Sequence, residues 1–415
     1  MRIAIIGGGA AGFAAAIAAA QRGARVTVLE RGKKPLKKLG IAGNGRGNLM
    51  NAGAPAYYGD AAFAQAVLGQ VGYPELSSFF TSLGVPLREE GAGWIYPASL
   101  TASAVQDALL LRARQLGVEV RCLAQAGGIA RDGDGFHISG RQGSPEEGKP
   151  SGRAENFSLY ADRVIVACGG AAAPAHGTDG TAYSLLTALG HRLTPLKPAL
   201  CALTVPKKSI QGLAGQRVRA ALCLTDAKGN AVHRSRGEAL FAEDAVSGIA
   251  AMQLARFASE GMELVLDLRD ELNREGDALP FVQALAAARA GEPMAELLTG
   301  AFAKPVARWI LLQAGVRDVQ AVIGADSRLL RAVADAIAGA RLPVTGTRGF
   351  AFAQVTAGGV VTADFDPATL QSRLVPGLYA AGEILDVDGD CGGFNLMFAF
   401  ASGLIAGTAA IHKIT

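Results

Sequence analysis

The stretch RIAIIGGGAAGFAAAIAAAQRGARVTVLE, residues 2–30, decides the fold. Arg2 to Ile6 is a short β-branched run, the composition of a buried strand. Gly7-Gly8-Gly9-Ala10-Ala11-Gly12 follows as a turn, and an alanine-rich helix then runs to about Gln21. Gly23 ends that helix, and Arg25 to Glu30 reads as a second strand. Strand, glycine turn, helix and strand make one βαβ unit of about thirty residues, the dinucleotide-binding arrangement. Each part has a mechanical reason. Gly7 permits the tight turn, Gly9 lets backbone approach a pyrophosphate, and Gly12 lets helix and strand pack closely. The amides at Ala10, Ala11 and Gly12 open the helix and can face an anion. Glu30 can accept hydrogen bonds from both ribose hydroxyls, and its charge repels a 2′-phosphate.

Composition sets the bounds around this unit. The chain has 415 residues, enough for two to three domains at the usual ~100–200 residues each. Half the residues are hydrophobic and 18% are charged, which excludes general disorder. Glycine is in excess at 54 residues, with no collagen period and no Gly/Ser linker, so it should lie in turns and close backbone contacts. A formal net charge of +4 does not by itself make a nucleic-acid binder. Five scattered cysteines without a CxxC pair argue against disulfides and zinc and for a reducing, cytoplasmic setting. The five histidines show no metal-ligand spacing, so no metal is expected. Two uncharged stretches, Ile3–Ala20 and Cys391–Ile411, approach the length of a membrane span. Both are rich in Gly and Ala and begin at glycine clusters, so buried helices beneath a cofactor are expected, and no membrane.

Further along, a helix with Gln106, Asp107 and Arg112 on its polar face leads to a strand at Val118–Leu123. Arg131–Gly140 reads as a hairpin and the polar stretch Ser144–Ala154 as a loop tip. Asp162–Ala167 is another strand, ending in Cys168-Gly169-Gly170. After Pro195 the character changes. Runs at Ala202–Val205, Gln216–Leu224 and Leu264–Leu268 suggest a small antiparallel β subdomain, and helical spacing dominates from Glu271 to about Gly339. Strands and a last Ala/Gly-rich helix return from Phe350. The expected organisation is a nucleotide-binding domain over 1–190 and 351–415, interrupted by a substrate domain at 191–350. Within the insert, about 191–268 and 340–350 would be β-structure and about 270–340 helical.

The C-terminal region chooses FAD over NAD. Gly377-Leu378-Tyr379-Ala380-Ala381-Gly382-Glu383 is a turn and short strand ending in an acidic residue, as needed beside a ribityl chain. Gly392-Gly393-Phe394-Asn395-Leu396 opens the last helix, whose N-terminal amides suit the pyrimidine edge of a flavin. The expected cofactor set is therefore Gly7, Gly9, Ala10, Ala11, Gly12, Glu30 and Arg31, with Lys38, Gly45, Arg46, Asn48 and Ala126. Ala167, Cys168, Gly169, Gly382, Glu383, Gly393, Phe394, Asn395 and Leu396 complete it. The catalytic residue is left open.

Three segments carry a family resemblance: Gly43-Asn44-Gly45-Arg46-Gly47-Asn48 with Asn51, Val355-Thr356-Ala357-Gly358-Gly359-Val360, and Gly382–Gly389 running into Gly392–Leu396. On these the chain resembles, over nearly its whole length, the BaiN/YhiN-type flavoproteins, a family that includes aminoacetone oxidases. The resemblance implies bound FAD in a glutathione-reductase-like α/β domain with a Rossmann-like sheet, interrupted by a β-barrel and a helical cap. The chain departs from the family pattern at Gly47, where a cysteine is usual, and at Met50 and Phe394. It also departs at Phe241–Gly248, where Glu243 replaces a histidine, so a thiol or histidine role at those places cannot apply.

No second GxGxxG appears mid-chain, so either NAD(P)H docks transiently at the flavin face or the substrate itself reduces the flavin, and the sequence does not choose. The expected activity is an FAD-dependent oxidoreductase passing hydride through flavin N5, with NAD(P)H reducing an unsaturated substrate. The resemblance implies that this can include uridine in ribosomal RNA. An amine oxidase producing peroxide and a non-catalytic flavin- or RNA-binding module are the alternatives. Lys207, Lys208, Arg217, Arg219, Lys228 and Arg234 would give the insert a basic face for a polyanion or merely a solvated surface. The partner is thus a small molecule or an RNA, and the oligomeric state stays open.

Overall fold

The structure, a computed structural model, describes residues 1–143, 154–324 and 326–412; all but Ala154 of the expected 144–154 loop tip lies outside them. The described residues form two compact units, Met1–Lys197 with Val355–Thr415, and Pro198–Gln354.

In the first unit, strands β1 (Arg2–Ile6), β2 (Arg25–Leu29), β3 (Glu119–Arg121), β4 (Arg163–Val166) and β5 (Leu378–Ala380) form one sheet. Its order is β5-β4-β1-β2-β3, and every pairing is parallel. Parallel strands buried on both faces need continuous apolar runs, which Ile3–Ile6 and Val26–Leu29 supply. Helix α1 (Ala10–Ala20) follows β1, α2 (Ala102–Gln115) precedes β3, and α3 (Phe394–Ala409) closes the unit. The first uncharged stretch is split into β1, the glycine turn and α1, the second contains α3, and the two helices pack on each other in the core. A Cβ at Gly403 would collide with the Ala11 carbonyl, and one at Gly407 with the Ala15 carbonyl. Alanine on one helix and glycine on the other thus bring two backbones together. Among the described residues no helix is long and apolar enough to cross a membrane.

The hairpin expected at Arg131–Gly140 is longer, Ala124–Asp132 with Gly135–Gln142, and a third strand, Glu155–Ala161, joins it. Gln106 is not on a solvated face: its Nε2 donates to the Leu36 carbonyl at 2.9 Å, so α2 supports the loop after β2.

In the second unit an antiparallel sheet runs in the order Ala340–Pro343, Glu263–Asp267, Arg217–Thr225, Ala231–Phe241, Ala245–Ser247, Leu203–Thr204, Gly346–Thr347. The first and last strands of that order are neighbours in sequence. Val344 donates its amide to Met262 at 2.8 Å and Thr345 donates to Thr204 at 2.9 Å, so one segment serves both ends of the sheet. The longest strand, Ala231–Phe241, was not expected. Arg234, Arg236 and Glu238 alternate on its exposed face, but His233, Ser235 and Gly237 opposite them supply no apolar face to read. Helices Leu279–Ala288, Lys304–Gln313 and Ser327–Gly339 make up the helical part. The last buries Leu330, Val333, Ala334 and Ile337, one stripe at helical spacing.

The division falls at 197/198 and 354/355, a few residues from the expected 190/191 and 350/351. Arg192 is held by Asp364 at 2.7 Å and Thr194 by Gly359, which keeps 191–197 with the nucleotide unit. Ala353 and Gln354 bond back to Gly349 and Leu200 within the other unit.

Candidate functional site

The glycine turn has two kinds of glycine. A Cβ at Gly7 (φ +109°) would fall on the Ala167 carbonyl, and one at Gly12 on the Gly7 carbonyl, so both are required by protein packing. Gly9 is different: nothing lies within 4 Å of where its Cβ would be. Gly9 also caps α1 without a side chain, so the opening amides of the helix receive no capping acceptor from it. A helix N-terminus with free amides beside open space is a cradle for an anion. Glu30 stands next to it. Its Oε2 accepts from the Gly8 amide at 2.9 Å and its Oε1 from the Gly32 amide at 2.6 Å, which fixes the carboxylate and leaves lone pairs on both oxygens.

Ala167 and Cys168 border this turn through β4. The Ala167 amide and the Cys168 thiol both reach the Ile6 carbonyl, at 2.8 and 3.1 Å. Burial, with the Glu30 charge second, pushes the Cys168 thiol up to about 12, so it is a packing group and not a nucleophile. Ala124 donates to the Glu30 carbonyl at 2.9 Å, which places the hairpin start, and Ala126 two residues on, near the same strand end.

The second glycine site docks on the 43–51 loop. Gly43, Asn44, Gly45 and Gly47 all take positive φ, a requirement that glycine and then asparagine meet best. Asn51 donates through Nδ2 to the Gly392 carbonyl at 2.8 Å and accepts from Gly53 at 2.7 Å. A Cβ at Gly393 would approach Asn48 Oδ1 to 2.6 Å. Asn48 Oδ1 itself is buried and has no hydrogen-bond partner, a free acceptor at the entrance to α3. Arg46 pairs with Glu90 at 2.6 Å and lies 4.7 Å over the Tyr96 ring, so its guanidinium is anchored to this loop. Tyr57 donates to the Phe394 carbonyl at 2.9 Å and meets its ring edge-on at 5.6 Å. Asn395 departs from expectation. Its side chain spans the Gly389 peptide, accepting from the amide and donating to the carbonyl, each at 2.8 Å. Only its backbone amide remains for a ligand. Cys391 is half-buried at the same turn; burial and then the Asp390 charge push its thiol up, so it keeps its proton.

Glu383 joins the two regions. Its Oε2 accepts from Lys38 Nζ at 2.7 Å and its Oε1 from the Thr356 amide at 2.9 Å. Thr356 Oγ1 in turn accepts from the Ala171 and Ala172 amides at 2.8 and 3.0 Å, just past Gly169-Gly170. Gly382 is turned tightly (φ +78°) and donates to Ser402 of α3 at 2.9 Å. Sequence reading missed Tyr183, whose hydroxyl is buried without a partner. Burial and then the charges of Glu383 and Asp386 hold that phenol protonated. It also missed Asp179, which binds Arg31 at 2.8 Å, and Glu90; each partner is remote in sequence, so no spacing announces it. Glu243, at the position of the family's histidine, is exposed and pairs with Lys207 at 3.1 Å. Among the described residues no cluster of three or more His, Cys, Asp or Glu could hold a metal ion.

A glycine turn onto a helix, an acid at the end of the second strand and a second glycine-opened helix from the far end of the chain define a Rossmann-like FAD-binding oxidoreductase fold. Residues 1–409 match the HI0933-like protein Rossmann domain family, and the chain belongs to that family of FAD-dependent oxidoreductases. It is 36% identical to the 3-dehydro-bile acid delta(4,6)-reductase of Clostridium scindens, with 99% of each chain covered. It is 27% identical to the ribosomal RNA dihydrouridine synthase of Escherichia coli, covering 96% of this chain and 95% of that one. In fold it is similar to the crystal structure of 3-ketosteroid-delta4-(5alpha)-dehydrogenase from Rhodococcus jostii RHA1 bound to 4-androstene-3,17-dione. That likeness has a TM-score of 0.51 at 18% identity, over 99% of this chain and 96% of the other.

Proposed function

We propose that this flavoenzyme reduces a carbon–carbon double bond conjugated to a carbonyl in a small polycyclic molecule, with NAD(P)H as electron donor. The observation that carries the reading is end-to-end similarity, at 36% identity, to a reductase of 3-dehydro-bile acids. The site fits FAD on its own chemistry: an anion cradle open at Gly9, a fixed carboxylate at Glu30 and an unpartnered acceptor at Asn48. In this reading the amides from Gly9 to Gly12 bind the pyrophosphate and Glu30 binds the adenosine ribose. Asn48 Oδ1 and the amides opening α3 face the polar edge of the flavin, where partial positive charge favours the reduced form. Lys38 and Glu383 orient the segments that meet between these ends. Bound FAD supplies the two-electron transfer at N5. The Cys391 thiol holds a proton at the turn that opens α3.

A ribosomal RNA substrate is the second reading, favoured by the 27% identical dihydrouridine synthase. The charge of the second unit speaks for the small molecule. Arg236 pairs with Asp270 at 2.6 Å, Lys207 with Glu243, Arg341 with Glu263 at 2.9 Å, and Arg217 with Glu238. These pairs offset part of its positive charge before any phosphate arrives, Lys207 and Arg217 of the expected basic face among them.

The experiment is anaerobic. NADH or NADPH should bleach the visible flavin absorbance, and a 3-oxo steroid with a conjugated double bond should restore it with loss of that bond. Restoration by unmodified ribosomal RNA with formation of dihydrouridine would select the second reading instead. Bleaching by an amine such as aminoacetone, with no response to NAD(P)H, would replace reduction by amine oxidation.

A further inference from the structure

Of the cations that follow Glu30, Lys33 and Lys34 are exposed, but Arg31 and Lys37 are tied to a remote segment. Arg31 donates through Nε to the Gly177 carbonyl at 3.0 Å and through one terminal nitrogen to both Asp179 oxygens at 2.8 Å. The same nitrogen reaches Thr181 Oγ1 at 3.2 Å. Lys37 Nζ donates to the Ala175 carbonyl at 2.7 Å. Two cations from one loop thus hold four points of the 175–181 segment. That segment leaves the sheet beside Gly7, where Ala167 and Cys168 touch the phosphate turn. It is tied at its far side to the residue directly after Glu30. It therefore runs from the pyrophosphate end of the site to the ribose end.

Beyond these cations it is tied at its root, where Gly180 donates to the Gly170 carbonyl at 3.1 Å and Thr178 donates to the Ala172 carbonyl. Pro174, Ala175 and Asp179 are exposed or half-buried, as are His176 to Thr178, so apolar burial contributes little to keeping the segment in place. Inside the segment Asp179 is the hub: its Oδ1 also accepts from the Thr181 amide at 3.1 Å and from its hydroxyl at 2.7 Å.

Resting on the FAD placement above, we propose that Asp179 is a positioning residue for the cofactor. It acts through Arg31 to hold the 175–181 segment along the adenosine half of FAD and so slows FAD release. Arg31 then serves the cofactor mainly through Asp179. A partly exposed ion pair contributes little to global stability, but opening this segment breaks these bonds together with those of Thr178 and Gly180 and little apolar packing.

The test is FAD release from the holoenzyme after dilution, followed by the fluorescence of freed flavin, beside thermal unfolding of the same samples. Asp179→Asn keeps an oxygen for Thr181 and removes the charge; it should release FAD about tenfold faster, with unfolding nearly unchanged. Wild-type release should quicken with salt, because the pair is partly exposed, and that salt dependence should flatten in D179N. Arg31→Lys should fall between wild type and Arg31→Ala. Arg341→Ala, which breaks a comparable pair in the other unit, should leave release alone. Fast release in R31A with wild-type release in D179N would overturn the proposal, since Arg31 would then act on FAD by itself. Equal release in all variants would overturn it too, while leaving the cofactor site intact. A wild-type protein that retains no FAD would overturn the cofactor site itself.

Discussion

Glycine has two jobs, and their balance differs between the two units: open, positive-φ glycines such as Gly23, Gly84 and Gly117 also turn the chain in the first unit, and Gly248 of the second would put a Cβ on the Glu238 carbonyl. In the nucleotide-binding unit, Gly7, Gly12, Gly359, Gly403 and Gly407 sit where a Cβ would strike backbone. In the inserted unit, Gly212, Gly215, Gly229, Gly261, Gly276, Gly291, Gly300 and Gly315 all have positive φ and open space around them. The first set brings chain segments together, and the second only turns the chain. The difference teaches why glycine motifs name the cofactor and leave the substrate unnamed.

The sharpest way to break this comparison is to add side chains in both places. Gly403→Val inserts bulk between α3 and the Ala11 carbonyl, and overpacking of this kind should cost ~3 kcal/mol, the upper end of its usual range. Gly300→Ala meets no neighbour and should cost only the ~1 kcal/mol of a left-handed alanine. Denaturant unfolding of both variants checks the order. If Gly300→Ala is the costlier change, the division between packing and turning glycines is wrong.

A smaller effect is expected at the one acid the glycine motif requires. Glu30→Gln removes a charged acceptor that Gly8 and Gly32 hold in place, and should weaken FAD binding about 10- to 100-fold. Titration of apoprotein with FAD reads it, with Glu263→Gln in the other unit as a control expected to change nothing. Unaltered affinity in E30Q would move the ribose away from Glu30.

Much of the nucleotide-binding unit is legible in the amino-acid sequence because its signals are local. The strand, turn, helix and acid lie within residues 2–30, and each residue type follows from a close contact or an open space. Gly43–Gly47 is legible for the same reason, since consecutive positive φ angles demand Gly or Asn. What stays hidden depends on pairing over long separations. Lys38 meets Glu383 and Arg31 meets Asp179 only because β1, β2, β4 and β5 lie in one sheet. Asn395 reads as a ligand residue because it opens a helix, but it is spent on the Gly389 peptide, a partner that spacing alone cannot disclose. The strand Ala231–Phe241 is hidden because Arg234, Arg236 and Glu238 alternate with His233, Ser235 and Gly237, so that neither face reads as apolar.

A pH test separates the units next. Burial pushes the Asp364 carboxyl up, but its bonds to Arg192 outweigh that and hold it below the usual 3.8. A depressed carboxyl contributes stability above its unfolded pKa and loses it as pH falls through the folded value. The nucleotide-binding unit should therefore lose stability below about pH 4, and Asp364→Asn should flatten that loss. Unfolding midpoints across acid pH check it; a D364N profile parallel to wild type would show that the pair adds nothing.

The smallest effect expected concerns the basic residues of the inserted unit, and it bears most directly on the substrate. If Asp270 and Glu263 neutralise Arg236 and Arg341, wild-type protein should bind single-stranded RNA weakly, with a shallow dependence on salt. The double variant Asp270→Asn/Glu263→Gln frees two guanidinium groups and should steepen that dependence by about 0.7 per added phosphate contact. A cation already engaged with phosphate could not respond this way. If wild-type binding falls steeply with salt and the double variant does not steepen it further, the carboxylates are not masking the cations. The inserted unit would then present a phosphate-binding face, and ribosomal RNA would displace the polycyclic enone as the substrate to pursue.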